Sequence, residues 1–308
     1  MESSLISGKT KICGVIGDPI EHTMSPVMHN AAFKKLGIDY LYVAFKVSKE
    51  ELGRAVEGVR ALNIRGLNVT IPHKVAIIPF LDKVDPLVEK IGAVNTIVND
   101  GGVLTGYNTD ATGFLQALLK QGVEPKGKNI VILGAGGASR AISFILAERG
   151  ANLVILNREL ELDWAEELAR RISQVFNQEV KALLLNEDNL AKVLERADVV
   201  VNATSVGMSP NIDETPVPAR LLKPGLIIFD IVYNPIKTKL LKEAEAAGAK
   251  TIGGLDMFVW QGALAFEKWT GQQAPFELMK REVIKRLSSN LSPCPLPLLR
   301  EGGVGREG

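Results

Sequence analysis

The chain has 308 residues, room for one large or two medium domains, and its 46% hydrophobic and 23% charged residues are ordinary for a globular protein. Its 36 basic and 35 acidic residues leave a net charge of +1, which gives no electrostatic footprint for nucleic acid or an anionic membrane. No window reaches the roughly 18 apolar residues of a membrane span, the opening MESSLISGKTK lacks an apolar signal core, and Cys13, Cys294, His22, His29 and His73 form neither a disulfide framework nor a zinc pattern. The expectations are a cytoplasmic location and no catalytic metal.

Strand and helix signals then alternate. Ile12 to Ile16 reads as a short apolar strand ending in a Gly-Asp-Pro turn. Ser25-Pro26 reads as an N-cap followed by proline at the first helical position, opening a helix to about Leu36 with Gly37 as its C-terminal cap. DYLYVAFKV is a second strand, Lys49 to Leu62 a helix, and GLNVT a third strand. GAVNTIVND and GGVLTGYNTD read as a strand, a Gly-Gly turn and a second short strand. A new series starts near Asp110. It comprises a helix over Gly113 to Lys120, an apolar strand over Asn129 to Leu133, GAGGASR leading into an Ala-rich helix, the strand ANLVILN, and an amphipathic helix over Leu162 to Val175. VKALLL, DVVVNAT and GLIIFDIV continue the strands, and Asp256 to Trp269 and Phe276 to Leu287 form two closing helices. This alternation predicts parallel βαβ units. The Pro- and Gly-rich stretch from Ser288 to Gly308 is expected to be a disordered tail. His22, His29 and His73 are expected in turns or on a helix face, without a catalytic role.

In GLNVTIPHK, Pro72 stops a strand of good strand formers and Lys74 follows two residues later. Polar groups at the carboxyl end of a strand are where α/β proteins place ligands. A lysine ammonium there can hydrogen-bond a carbonyl oxygen and deliver a proton to it.

VILGAGGASRA follows a buried strand and opens a helix. Gly134 and Gly136 match the first two glycines of a dinucleotide fingerprint, with Ala135, Gly137 and Ala138 completing the turn and Ser139 at the third position. The glycines let the backbone approach a pyrophosphate, and the helix start offers it N–H groups. At the end of the next strand an NAD enzyme usually carries Asp or Glu. Asn157 and Arg158 stand there instead, and a guanidinium suits the 2′-phosphate of NADP. Glu159 opposes that phosphate if it points inward, so NAD stays open as well.

The patches HTMSP, NVTIPHK, AVNT, GYNTD and MFVWQGALAFE, in this order with GAGGASR between them, resemble the shikimate dehydrogenase family from about Lys11 to Leu287. The resemblance implies an α/β fold of two βα domains flanking a cleft, a substrate-binding α/β domain and a Rossmann-type dinucleotide-binding domain. The division is 1–109 for the first segment of the substrate domain, 110–254 for the NADP domain, and 255–287 for helices returning to the substrate domain. The chain is expected to cross between them near Asn108–Thr112 and Gly253–Met257. The implied reaction is NADPH-dependent reduction of 3-dehydroshikimate to shikimate, in aromatic amino acid biosynthesis. By resemblance Lys74 and Asp110 are the catalytic pair, and Thr23 and Ser25 take the substrate carboxylate. Asn68, Thr70, Asn95 and Gln261 line the ring hydroxyls, Tyr233 adds to the pocket, and Gly254 and Met257 lie beside the nicotinamide. Two departures stand out. Serine is more usual at Thr23, which bears on shikimate against the bulkier quinate. NRELELD is acidic where the family often adds a basic residue, which leaves dual cofactor use or NAD open. A non-catalytic metabolite-binding relative is the alternative from another class.

Overall fold

A computed structural model describes residues 6–289. The expected tail lies outside the described residues from 290 onward, and its first two residues, Ser288 and Ser289, instead complete the last helix.

The first sheet has the strand order β2 (Tyr40–Lys46), β1 (Lys11–Gly17), β3 (Gly66–Val69), β5 (Thr96–Asp100), β6 (Val103–Tyr107), β4 (Lys83–Val84). β1, β2 and β3 are parallel as the alternation predicts, but the sheet is mixed. β5 runs antiparallel to β6, because Gly101 and Gly102, each at positive φ, close the two into a hairpin, and this hairpin docks on β3 with β5 antiparallel to it as well. Strand period two then sorts the side chains. Ile97 packs with Val56, Val59 and Leu67 on the face covered by α2 (Leu52–Ala61). Its neighbour Val98 packs with Met28, Phe33, Phe266 and Val283 beneath α1 (Ser25–Leu36), α9 (Leu255–Thr270) and α10 (Phe276–Ser289).

The second sheet is wholly parallel, with the order β12 (Lys250–Gly253), β11 (Ile227–Asp230), β10 (Val199–Asn202), β7 (Asn129–Leu133), β8 (Asn152–Asn157), β9 (Lys181–Leu184). This is the doubly wound order. Its reversal between β7 and β10 opens a crevice at the carboxyl ends of those strands. Both faces are covered, so β7 sends Ile130 and Ile132 to one core and Val131 and Leu133 to the other. The first core lies under α4 (Asp110–Lys120), α5 (Gly137–Glu148) and α6 (Leu162–Phe176). The second lies under α7 (Glu187–Leu194) and α8 (Lys239–Ala246). Helix α9 serves both halves. Met257 belongs to the second sheet's core, whereas Val259, Ala263 and Phe266 belong to the first sheet's.

Several local expectations change. Met24, not Ser25, is the N-cap of α1, and Ser25 is the first helical residue. The Ser25 N–H donates to the Thr23 hydroxyl (3.3 Å), and no side chain caps the helix in the way expected of Ser25. Helix α2 starts at Leu52, since Lys49 to Glu51 form a turn, and β3 stops at Val69. Helix α4 starts at Asp110 rather than Gly113, because Asn108 Oδ1 accepts the Ala111 N–H (3.2 Å) and satisfies the first turn. The structure adds β4, β12 and three short helices. Asp85 caps α3 (Pro86–Ile91), Asn186 caps α7 and Thr238 caps α8, each through a side-chain oxygen.

One buried carboxylate ties the crevice loops together. Asp230, at the end of β11, accepts from Asn202 Nδ2 (2.9 Å), the Val232 N–H (3.1 Å) and the Thr238 hydroxyl (2.6 Å). Asn202 Oδ1 in turn accepts from the Thr204 N–H (3.1 Å) and hydroxyl (2.6 Å). The loops leaving β10 and β11 thus hang on one side chain. Desolvation pushes the Asp230 carboxyl up from 3.8 to about 6, against the pull of its three donors. A raised carboxyl favours the protonated form in the fold, so its contribution is complete below pH 3.8 and is lost as pH rises through about 6. The stability of the protein relative to an Asp230→Asn variant should therefore fall between pH 4 and pH 7, by on the order of 2 kcal/mol. Denaturant melts across that range test it, and a difference that does not vary with pH would refute the assignment.

Candidate active site

The turn after β3 delivers Lys74. The His73 N–H donates to the Thr70 carbonyl (2.9 Å) and the Lys74 carbonyl accepts the Val94 N–H (2.8 Å), which fixes the backbone on both sides. Lys74 Nζ donates to Asp110 Oδ2 (2.6 Å), with 14% of the lysine side chain and 7% of the aspartate side chain exposed. Asp110 is the first residue of α4, where the positive end of the helix favours a carboxylate.

A polar network supports this pair. Asn95 Oδ1 accepts the Thr109 N–H (2.7 Å), and Asn95 Nδ2 donates to the Thr109 hydroxyl (2.9 Å). Asn68 Nδ2 donates to the Thr96 hydroxyl (3.2 Å) and to the Asn95 carbonyl (3.3 Å), while its Oδ1 accepts the Tyr42 hydroxyl (2.7 Å). Tyr42, Asn68, Asn95, Thr96 and Thr109 are all buried, so every one of these groups needs its partner. Tyr42, Thr96 and Thr109 were not anticipated. The available signal was Tyr42 itself, since a buried tyrosine requires a partner for its hydroxyl. Thr70 is half-buried at the end of β3 and donates its N–H to the Ile16 carbonyl (3.0 Å).

Thr23 and Ser25 lie at the start of α1 with their hydroxyls 3.3 Å apart, Thr23 donating. Tyr233, from the loop after β11, faces both the Thr23 side chain and the Met24 backbone. Burial nonetheless pushes its phenol up to about 12. Its ring stacks on Phe258 of α9 (centroids 4.0 Å, 20°). Gln261, one turn further along α9, turns its Nε2 back onto the Phe258 carbonyl (2.7 Å). Met257 is buried and Gly254 abuts the Ile231 backbone.

Of the three histidines, His22 is exposed in a turn. His73 is buried with Nε2 2.8 Å from the Val47 carbonyl oxygen. His29 is buried on α1 and stacks on Tyr42 at 4.3 Å, where desolvation pushes it down to about 3 and keeps it neutral.

The glycine turn stands across from Lys74. Gly134 has φ +98°, a conformation that costs glycine little, and its carbonyl accepts the Ser139 hydroxyl (2.6 Å). That bond explains a serine at the third fingerprint position, since the hydroxyl fastens helix α5 to the turn. Gly136 precedes α5 without any side-chain cap, and a Cβ placed on it would project into open space. The first-turn N–H groups of α5 therefore face an open cradle suited to an anionic pyrophosphate. Ala135 is packed into the core, and Gly137 and Ala138 are half-buried on the turn. A Cβ on Gly137 would lie 2.8 Å from Lys74 Cβ and 2.9 Å from Lys74 Cδ, so only glycine admits the lysine this close to the turn. At the other end of the crevice, Asn157 closes the loop after β8 through Nδ2 to the Glu161 carbonyl (2.6 Å), and the Arg158 side chain is 69% exposed.

Three family models match consecutive parts of the chain. They are the shikimate dehydrogenase substrate binding domain over residues 15–97, shikimate/quinate 5-dehydrogenase over 117–243, and the shikimate 5′-dehydrogenase C-terminal domain over 254–284. A shikimate dehydrogenase (NADP+) of Methanopyrus kandleri is 49% identical over 285 residues, covering 92% of this chain and 98% of the relative. A crystal structure of a shikimate dehydrogenase in complex with NADP+ is 46% identical with a TM-score of 0.85, covering 92% of this chain and 98% of the other. The shikimate 5-dehydrogenase of Listeria monocytogenes, in complex with shikimate and NAD, is 44% identical with a TM-score of 0.83, covering 91% and 98%. With this identity over nearly the whole chain, and with the mixed and doubly wound sheets facing each other across Lys74, the protein belongs to the shikimate dehydrogenase family.

Proposed function

We propose that this protein catalyses the reversible NADPH-dependent reduction of 3-dehydroshikimate to shikimate, a step of aromatic amino acid biosynthesis carried out in the cytoplasm, with Lys74 as the proton-transferring group. The observation that carries this reading is the close Lys74–Asp110 pair set against the glycine turn. The partners are thus small molecules. No described helix is long and apolar enough to cross a membrane.

NADP fits the residues present. The uncapped start of α5 and the open face at Gly136 suit the pyrophosphate, and Arg158 suits the ribose 2′-phosphate. When bound, the nicotinamide supplies hydride to the substrate carbonyl carbon. The protein's own work is done at the oxygen. As negative charge develops there, the Lys74 ammonium hydrogen-bonds it and transfers a proton, and in the oxidative direction Lys74 takes that proton back. Asp110 holds the ammonium in place and accepts from a neighbouring substrate hydroxyl. Thr23 and Ser25 receive the carboxylate through hydroxyl donors near the start of α1. Asn68, Thr70, Asn95 and Gln261 meet the ring hydroxyls, and the Tyr42 and Thr109 bonds keep Asn68 and Asn95 in register for that task. Tyr233 closes the pocket from the loop after β11, with Gly254 and Met257 flanking the nicotinamide. A second reading, a quinate/shikimate dehydrogenase using NAD or both cofactors, draws support from Arg158, whose guanidinium is already paired with Glu161.

Two measurements test these roles. Lys74→Ala should lower turnover by about two to four orders of magnitude while NADP+ still binds. Near-normal turnover would falsify the proton role. Initial rates of shikimate and quinate oxidation, each with NADP+ and NAD+, should be highest for shikimate with NADP+. Comparable rates with quinate or NAD+ would place the enzyme in the broader branch of the family.

A further inference from the structure

The loop after β8 reads Asn157-Arg158-Glu159-Leu160-Glu161. Its conformation brings the last residue back onto the second. Arg158 Nε donates to Glu161 Oε2 (2.8 Å), and a terminal guanidinium nitrogen bonds Oε1, so the fork of the arginine is filled by a bidentate carboxylate. Asn157 Nδ2 holds the Glu161 carbonyl at 2.6 Å, which fixes the turn that presents this carboxylate. The hydrogen bonds from Arg158 hold the Glu161 carboxyl below its ordinary range, so it is ionised at neutral pH. Glu159, the nearer acidic residue and the one suspected from the sequence, makes no ion pair among the described residues.

A guanidinium recognises a phosphate through the same two parallel N–H bonds that it gives a carboxylate. Glu161 and a ribose 2′-phosphate are therefore rivals for one fork, and their like charges repel if both stay. We infer that Glu161 is a specificity-determining residue: it weakens binding of the 2′-phosphorylated cofactor and leaves the unphosphorylated one unaffected. This deepens the reading of Arg158 as the 2′-phosphate ligand and rests on it. NAD binding leaves the ion pair intact, whereas NADP binding requires Glu161 to release the arginine. Asn157 keeps the turn in place in either case, because its bond goes to the backbone of Glu161.

The test is calorimetric binding of NADP+ and NAD+ to the wild-type protein and to Glu161→Gln, Glu159→Gln, Arg158→Gln and the Arg158→Gln/Glu161→Gln double variant. Removal of the competing half-buried carboxylate should tighten NADP+ binding about two- to fivefold with no matching change for NAD+. Glu159→Gln should change neither, and the double variant should bind NADP+ no better than Arg158→Gln. If Glu161→Gln tightens both cofactors equally, or neither, Glu161 is not the selector and the inference is overturned. Arg158→Gln separates this from the underlying reading. It should weaken NADP+ alone, by about tenfold. If it does so while Glu161→Gln has no effect, only the inference on Glu161 fails. If Arg158→Gln leaves NADP+ binding unchanged, the assignment of Arg158 to the 2′-phosphate fails with it.

Discussion

The ion pair between Lys74 and Asp110 joins residues 36 positions apart and leaves little of either side chain in water. Two charges withdrawn from solvent are tolerated only when geometry holds them together and their remaining hydrogen-bonding capacity is met. Asn95 is the common strut. It receives the Thr109 N–H immediately before Asp110, and its own carbonyl accepts the Val69 N–H at the end of β3 (2.8 Å). The turn carrying Lys74, the strand carrying Asn68 and the start of α4 therefore form one unit, and none of the three can shift without breaking buried bonds.

That unit faces the second sheet, and two features keep the facing elements in place. Helix α9 sends Met257 into one core and Val259, Ala263 and Phe266 into the other, so the helix seats Tyr233, through Phe258, against a support shared by both halves. Gly137 brings the start of α5 against the Lys74 side chain. The Lys74 side chain and the uncapped start of α5 are thereby placed side by side by packing alone.

The parts of this arrangement that depend on neighbours in the chain were legible in the sequence. Examples are the strand, turn and helix around GAGGASR, the Gly101-Gly102 hairpin, and the strand end before Lys74. The parts that depend on distant neighbours were not. Tyr42 meets Asn68 across 26 positions and Asp230 meets Asn202 across 28, and no local spacing announces either bond. The antiparallel β5 follows from where the hairpin docks on β3, not from its composition. Ser25 carries a cap signal but lies inside the first turn, with its own N–H bonded to the Thr23 hydroxyl. Helices α3, α7 and α8 did carry signals, in Asp85, Asn186 and Thr238, but each is only six to eight residues long.

The two ion pairs of the cleft show how burial divides labour. Lys74–Asp110 lies in a poorly screened setting, where the pair is strongly coupled and hard to rearrange. Such a pair suits a fixed task, in which one oxygen must always meet one proton. Arg158–Glu161 has the same chemistry, but its arginine is 69% exposed and its charges feel salt within a Debye length of about 8 Å. A pair whose guanidinium stands largely in water opens more readily than a buried one. It can therefore yield to a competing phosphate at small cost, and a single charge change there can shift cofactor preference without touching the fold. On the proposed reading the fixed proton transfer lies with the buried pair, and the choice of cofactor with the pair whose guanidinium stands in water.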